Sequence, residues 1–94
     1  MKYEVSFRPE AEIEYYEAID WYNRQKPSLG SVFIHYFEDR ITDLALNPFL
    51  SSPVDDKIRR AYMKKFPYAI FFTIDGDCLE ILRIRHFSRK SIDC

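Results

Sequence analysis

The chain has 94 residues, 47% hydrophobic and 17% aromatic, with two glycines, two cysteines and a formal net charge of −1. That length is one domain, 1–94, with a modest core, and that composition excludes a disordered or low-complexity chain. No run approaches ~18 apolar residues and "MKYEVSFRPEAE" lacks a secretory apolar stretch, while Cys78 and Cys94 have neither disulfide-framework nor metal-ligand spacing, so a reduced, cytoplasmic protein is expected.

Residues 2–7, "KYEVSF", alternate polar and apolar, which predicts a short strand with Tyr3, Val5 and Phe7 on one face. Pro9 sits where a helix begins, and Glu10, Glu12 and Glu14 follow where acids suit the helix dipole. Ala11, Tyr15, Ala18 and Tyr22 recur at helical spacing, with Ile19 widening the stripe, so a helix is predicted over about 9–25, ending before Pro27. "KPSLG" is a turn. A second helix runs from Ser28 or Leu29 to about 46 on the stripe Phe33, Phe37, Ile41 and Leu44, and Asn47-Pro48 stops it. So short a turn makes the two helices an antiparallel hairpin.

"NPFLSSPVDD" (47–56) reads as a proline-containing loop. Three strands are predicted after it, over 57–65, 68–75 and 78–86, the last two joined by the tight-turn signal Asp75-Gly76. "YAIFFTI" is apolar almost throughout and is expected to be central and covered on both sides. The expected class is α+β: β-α-α-β-β-β, a helical hairpin packed on one face of a mainly antiparallel sheet.

The charge is divided between the halves. Residues 1–56 carry five basic against eleven acidic residues, net −6, and residues 57–94 carry nine against four, net +5. Arg59, Arg60, Lys64 and Lys65 lie in or after the second strand, and Arg83, Arg85, Arg89 and Lys90 at the end of the fourth. Arg83 and Arg85 are two apart and share a face, with Leu82, Ile84 and His86 on the other. Arg59 and Arg60 alternate, so one of them belongs with that face. Such a cluster suits phosphate or an acidic protein segment; the plainer alternative is a solvated sheet face that discourages edge pairing.

His86 is the histidine beside this cluster and a candidate acid or base; the plainer alternative packs it against the helices beside Ile84. The acids of the first helix, Glu10, Glu12, Glu14, Glu17 and Asp20, read as a solvated face. No metal cluster, glycine-rich phosphate loop or nucleophile motif is present, so neither metal nor cofactor is expected.

"VSFRPEAEIEYYEAIDWYNRQKPSLGSVF" (5–33), "LALNPF" (44–49), "IRRAYMKKFPYAIFFTI" (58–74) and "ILRIRHFSRK" (81–90) together resemble the RelE/ParE superfamily of bacterial type II toxin–antitoxin toxins. The resemblance implies the β-α-α-β-β-β fold and a cognate antitoxin whose C-terminal segment wraps the toxin. The "FPY" strand start, with Tyr68 near the position where the ribonuclease branch carries a catalytic arginine, and the "RHFSR" ending resemble the ParE branch, which implies inhibition of DNA gyrase without enzyme activity. The runner-up is a metal-independent, ribosome-dependent endoribonuclease with His86 as acid or base and Arg60, Arg85 and Arg89 on phosphate. A third reading is an inactive, toxin-like binding module. The residues assigned to the target are Arg60, Arg83, Arg85, Arg89 and Lys90. Trp21 and Tyr22, beside the apolar groove of the helix hairpin, are assigned to the antitoxin.

Overall fold

A computed structural model describes residues 2–87. It contains β1 (Glu4–Phe7), α1 (Pro9–Gln25), α2 (Leu29–Leu46), a single 3-10 turn (Pro48–Leu50), β2 (Ser52–Pro53), β3 (Ile58–Tyr62), β4 (Tyr68–Asp75) and β5 (Cys78–His86). The sheet order is β1-β5-β4-β3-β2, with β1 parallel to β5 and the other pairs antiparallel. No helix among the described residues is long and apolar enough to cross a membrane.

Both helices stop where their local chemistry requires. The Lys26 N–H still donates to the Tyr22 carbonyl at 3.1 Å, but Lys26 itself is extended (φ −160°, ψ 131°), as a residue preceding proline must be. Ser28 then adopts a left-handed φ of 75° and turns the chain into α2. Gly30 lets the helices meet closely: a Cβ there would stand 2.6 Å from the Asn23 side-chain amide, whose oxygen accepts the Gly30 N–H at 2.8 Å. That bond satisfies one of the donors a helix start leaves open.

The core lies between the hairpin and one face of the sheet. Ala11, Ala18 and Tyr22 of α1 and Phe33, Phe37 and Leu44 of α2 meet Ala61, Tyr68, Ile70, Phe72, Leu79, Ile81 and Ile84 of the strands. Each of the large side chains buried here contributes about 1.5–3 kcal/mol. The rings interlock: Phe33 lies 5.5 Å from Tyr22, 5.2 Å from Phe66 and 5.3 Å from Tyr68.

The structure departs from the sequence-based expectation in four places. β3 stops at Tyr62 rather than 65, because Met63 and Phe66 turn into the core and Lys65 takes a left-handed φ of 75°. The 47–56 loop holds a 3-10 turn and the short β2, which makes the sheet five-stranded. β4 is central but has helices on one side only. A bulge opposite Phe71/Phe72 inserts Leu82 into β5, so that Phe72 faces Ile81 while Phe71 faces Arg83. Leu82 therefore drops out of the alternation, and the buried positions step from Ile81 to Ile84. The Asp75-Gly76 turn is as expected, with Gly76 at φ 63°.

Arg59 organises the new loop. It pairs across the sheet with Phe72 and so stands on the helix side. Its Nη2 donates to the carbonyls of Ser51 (2.6 Å) and Phe49 (3.2 Å), its Nε donates to Ser51 Oγ (3.0 Å), and its guanidinium lies 5.3 Å from the Phe49 ring centroid. Asp55 fixes the other end of the loop: its Oδ1 accepts the N–H groups of Lys57 and Ile58, both at 2.8 Å, and those bonds hold its carboxyl below the usual range. Arg59→Ala is expected to cost about 1–2 kcal/mol by removing its three bonds to Phe49 and Ser51, two of them part-buried. Arg60→Ala is expected to change stability by less than about 0.5 kcal/mol. Urea melts of the two variants check the contrast.

Candidate functional site: an arginine–aromatic face and a capped strand edge

Cross-strand register builds one face of the sheet on the side away from the helices. Arg60 pairs with Phe71 and Phe71 with Arg83, so the three stand in one row; Tyr62, Ala69 and Arg85 form the next. Directly opposed residues project to the same face. Arg59 and Arg60 thus point to opposite faces: Arg59 braces a loop on the helix side and Arg60 joins Arg83 and Arg85 outside.

Aromatic side chains interleave with these cations. Tyr62 is 48% exposed and Phe87 56% exposed, with ring centroids 5.2 Å apart at 77°. The Arg60 guanidinium carbon lies 5.4 Å from the Tyr62 ring centroid. Its Nε is buried without a hydrogen-bond partner among the described residues. The Phe87 N–H donates to the Pro67 carbonyl at 3.0 Å, which fixes the ring beside Tyr62. Flat cations beside exposed rings bind anionic or aromatic groups of a macromolecule well.

The second feature lies at the edge of β5. β1 covers β5 only from Cys78 to Ile81, and the final tie is the Arg8 N–H to the Ile81 carbonyl at 2.9 Å. Beyond it, Glu14 of α1 takes over. Its Oε1 accepts the Ile84 N–H at 2.7 Å, and its Oε2 accepts Arg83 Nη2 at 2.6 Å and Nε at 3.1 Å. Arg85 Nε stands 3.9 Å from the same oxygen. The bond to Glu14, and then its charge, push the Arg83 guanidinium further up than usual, with a smaller contribution from Glu10.

Glu14 corrects the sequence reading, which placed it on a solvated face. Its side chain is only 17% exposed. The signal was its spacing: Glu14 is three residues after Ala11 and four before Ala18, both buried, and so lies on the stripe that faces the sheet.

A groove of about 380 Å³ opens between α1 and the end of β5, lined among others by Glu17, Asp20, Trp21, Tyr68, Ile84 and His86. Trp21 is half-buried there. Tyr22 is not a surface contact: it is 8% exposed and packs against Phe33 and Phe66. His86 pairs with Tyr68 in register, and their rings are 4.9 Å apart, edge to face. It therefore stands on the helix side, beside Ile84, while Arg85 faces outward. A second groove, about 520 Å³, lies beside the hairpin and is lined by Phe7, Tyr15, Tyr16, Phe37, Glu38, Ile41 and Thr42. Burial first, then Glu38 and Tyr16, raise the Tyr15 hydroxyl pKa there. The sequence reading placed Phe7, Tyr15 and Phe37 on apolar stripes and named neither them nor Tyr16 as partner contacts.

Arg60, Arg83 and Arg85 are thus brought together, and Arg89 and Lys90 lie outside the described residues. The Cys78 thiol is exposed, and desolvation followed by the charges of Asp77, Glu4 and Asp75 pushes its pKa up, which holds it protonated and poorly nucleophilic. No group of three or more metal-ligating side chains occurs among the described residues.

Comparison with known proteins agrees with this architecture. A search of curated protein sequences returned no match. A solved structure described as the chromosomal ParDE TA system from P. aeruginosa superposes with a TM-score of 0.78 at 15% identity, covering 90% of this chain and 96% of that one, a likeness of fold. The family profile described as "ParE toxin of type II toxin-antitoxin system, parDE" matches residues 5–90. With that match spanning nearly its whole length, the chain belongs to the ParE toxin family.

Proposed function

We propose that this chain is a toxin that inhibits DNA gyrase and is silenced by a cognate antitoxin. Family membership supports the toxin role and the partner. The observation that carries the choice of surface is the Arg60–Phe71–Arg83 row with Arg85 beside it, on the helix-free face. Arg60, Arg83 and Arg85 are the target-facing residues, and Arg89 and Lys90 extend the set along the chain. The antitoxin covers the aromatic groove beside the hairpin, where Tyr15 and Tyr16 offer rings with a polar tip, and reaches Trp21 in the neighbouring groove.

The endoribonuclease alternative asks His86 and Arg85 to act on one phosphate. Their side chains leave β5 on opposite faces, so a phosphate seated on the arginine face has no imidazole within reach across the sheet. What favours that alternative is the exposed Tyr62–Phe87 pair, a platform on which bases would stack.

Purified protein is expected to inhibit gyrase supercoiling at micromolar concentration; folded protein that leaves supercoiling untouched at that excess removes this reading. Arg60→Ala and Arg83→Ala are each expected to weaken inhibition about tenfold, as truncating an interface arginine does. Arg59→Ala, compared below its melting transition, is expected to retain inhibition. His86→Ala is expected to leave growth arrest unchanged. If primer extension after induction shows cleaved messages, and His86→Ala abolishes them, the ribonuclease reading replaces this one.

A further inference from the structure

Beyond Ile81, β5 has no strand on its β1 side among the described residues, β4 pairing only the other side, and what closes that open edge is a site fitted to a carboxylate. The Ile84 N–H and two N–H groups of Arg83 converge on Glu14, and Arg85 Nε is 3.9 Å away. The donors belong to the strand, whereas the acceptor hangs from a helix on a side chain with three rotatable bonds. Rotation about those bonds frees every donor without moving either backbone. Beside it, the groove of about 380 Å³ separates α1 from the strand edge.

We propose that the 82–86 edge of β5 is a docking edge for an extended acidic segment of a partner protein, and that Glu14 is its internal placeholder. The partner's carboxylate takes over the bonds to Ile84 and Arg83 as Glu14 turns to solvent, and the partner's backbone runs where β1 stops. The inference rests on the reading that the partners of this chain are proteins. Charge complementarity selects the occupant. Arg83 and Arg85 are two positions apart on one strand face, so acids two apart on an added strand stand opposite both. An added strand also supplies the alternating donors and acceptors that a sheet edge pairs with, which a phosphate chain lacks.

The helix wall tunes the affinity. Asp20 is paired with Arg24, but Glu17 lines the groove and Glu10 lies near enough to act on Arg83. Both repel an incoming acid, and Glu14 adds its own charge once displaced. The edge is therefore held in a low-affinity state, chiefly by Glu14, which occupies the donors themselves.

Fluorescence anisotropy on the full chain tests this. The probe is an end-blocked, labelled peptide alternating threonine and glutamate, compared with its glutamine counterpart and with a single-stranded oligothymidylate of equal charge. In Glu14→Gln the amide oxygen still serves the Ile84 N–H while the charge is gone. This variant is expected to bind the glutamate peptide about fivefold more tightly than the parent. The gain is expected to vanish when Arg83→Ala is added and to be absent for the glutamine peptide. Equal affinity of folded parent and folded variant, or no binding by either, reduces Glu14 to a structural brace and overturns the proposal. An equal gain for the oligothymidylate overturns the acidic-peptide assignment. If Glu14→Gln does not fold, Glu14→Asp, which keeps the charge but shortens the reach, is expected to show a smaller gain in the same assay, and no gain overturns the proposal. A protein that inhibits gyrase yet ignores position 14 here loses the placeholder and keeps its target.

Discussion

β5 is nine residues long and β1, its neighbour on one side, is four. That mismatch governs the rest of the surface. A strand cannot leave its outer N–H and C=O groups unserved where water is partly excluded, so something other than a strand must cover the stretch past Ile81. The fold uses α1, which starts directly after β1 and passes over this edge. Glu14, on the stripe of α1 that faces the sheet, is the first long polar side chain to arrive there. The same carboxylate then draws Arg83 and Arg85 together at the edge, and the space left beyond it is the groove holding Trp21 and His86. Strand length thus decides where the cations gather and where a partner has room.

The elements were legible because their signals are local. The Pro9 start, the apolar stripes, the Asn47-Pro48 stop and the Asp75-Gly76 turn each act within a few residues, and each produced the element it indicated. What was not legible depends on contacts distant in sequence. Glu14 and Ile84 are 70 residues apart, and nothing in the spacing of helix acids distinguishes one that meets a strand edge from one in water, except its place on the stripe. The bulge at Leu82 has no glycine to announce it. β2 exists because Arg59 grips two carbonyls of the preceding loop, and a basic residue in a basic run gives no sign of that.

The division of charge along the chain was read as the mark of a docking surface, and the structure shows it is partly answered within the fold. The acidic half meets the basic half where α1 crosses β5, as Glu14 with Arg83, and the polarity is reversed where Arg8 lies 3.5 Å from Glu80. An exposed pair such as Arg8–Glu80 stabilises a fold by less than about 1 kcal/mol, so its main consequence is geometric, and both pairs set where guanidinium groups point. Among the described residues Arg60 escapes this pairing. Its planar head rests beside Tyr62 rather than on a carboxylate, which leaves its charge directed outward.

On the proposed reading, recognition and stability separate at a single residue step along β3. Arg59 turns inward, and its bonds to Phe49 and Ser51 help to hold the loop that Asp55 fixes at its other end. Arg60 turns outward into a row that the core does not need, because Ile70, Phe72 and Ile81 are already buried beneath the helices. A 94-residue chain has little stability in reserve, so a target-binding surface drawn from core residues would couple every change in specificity to a risk of unfolding. The proposed surface on the helix-free face avoids that coupling. Arg83 is the exception, since it meets both the outer row and the Glu14 brace, so that under the proposed function a substitution there acts on stability and recognition together.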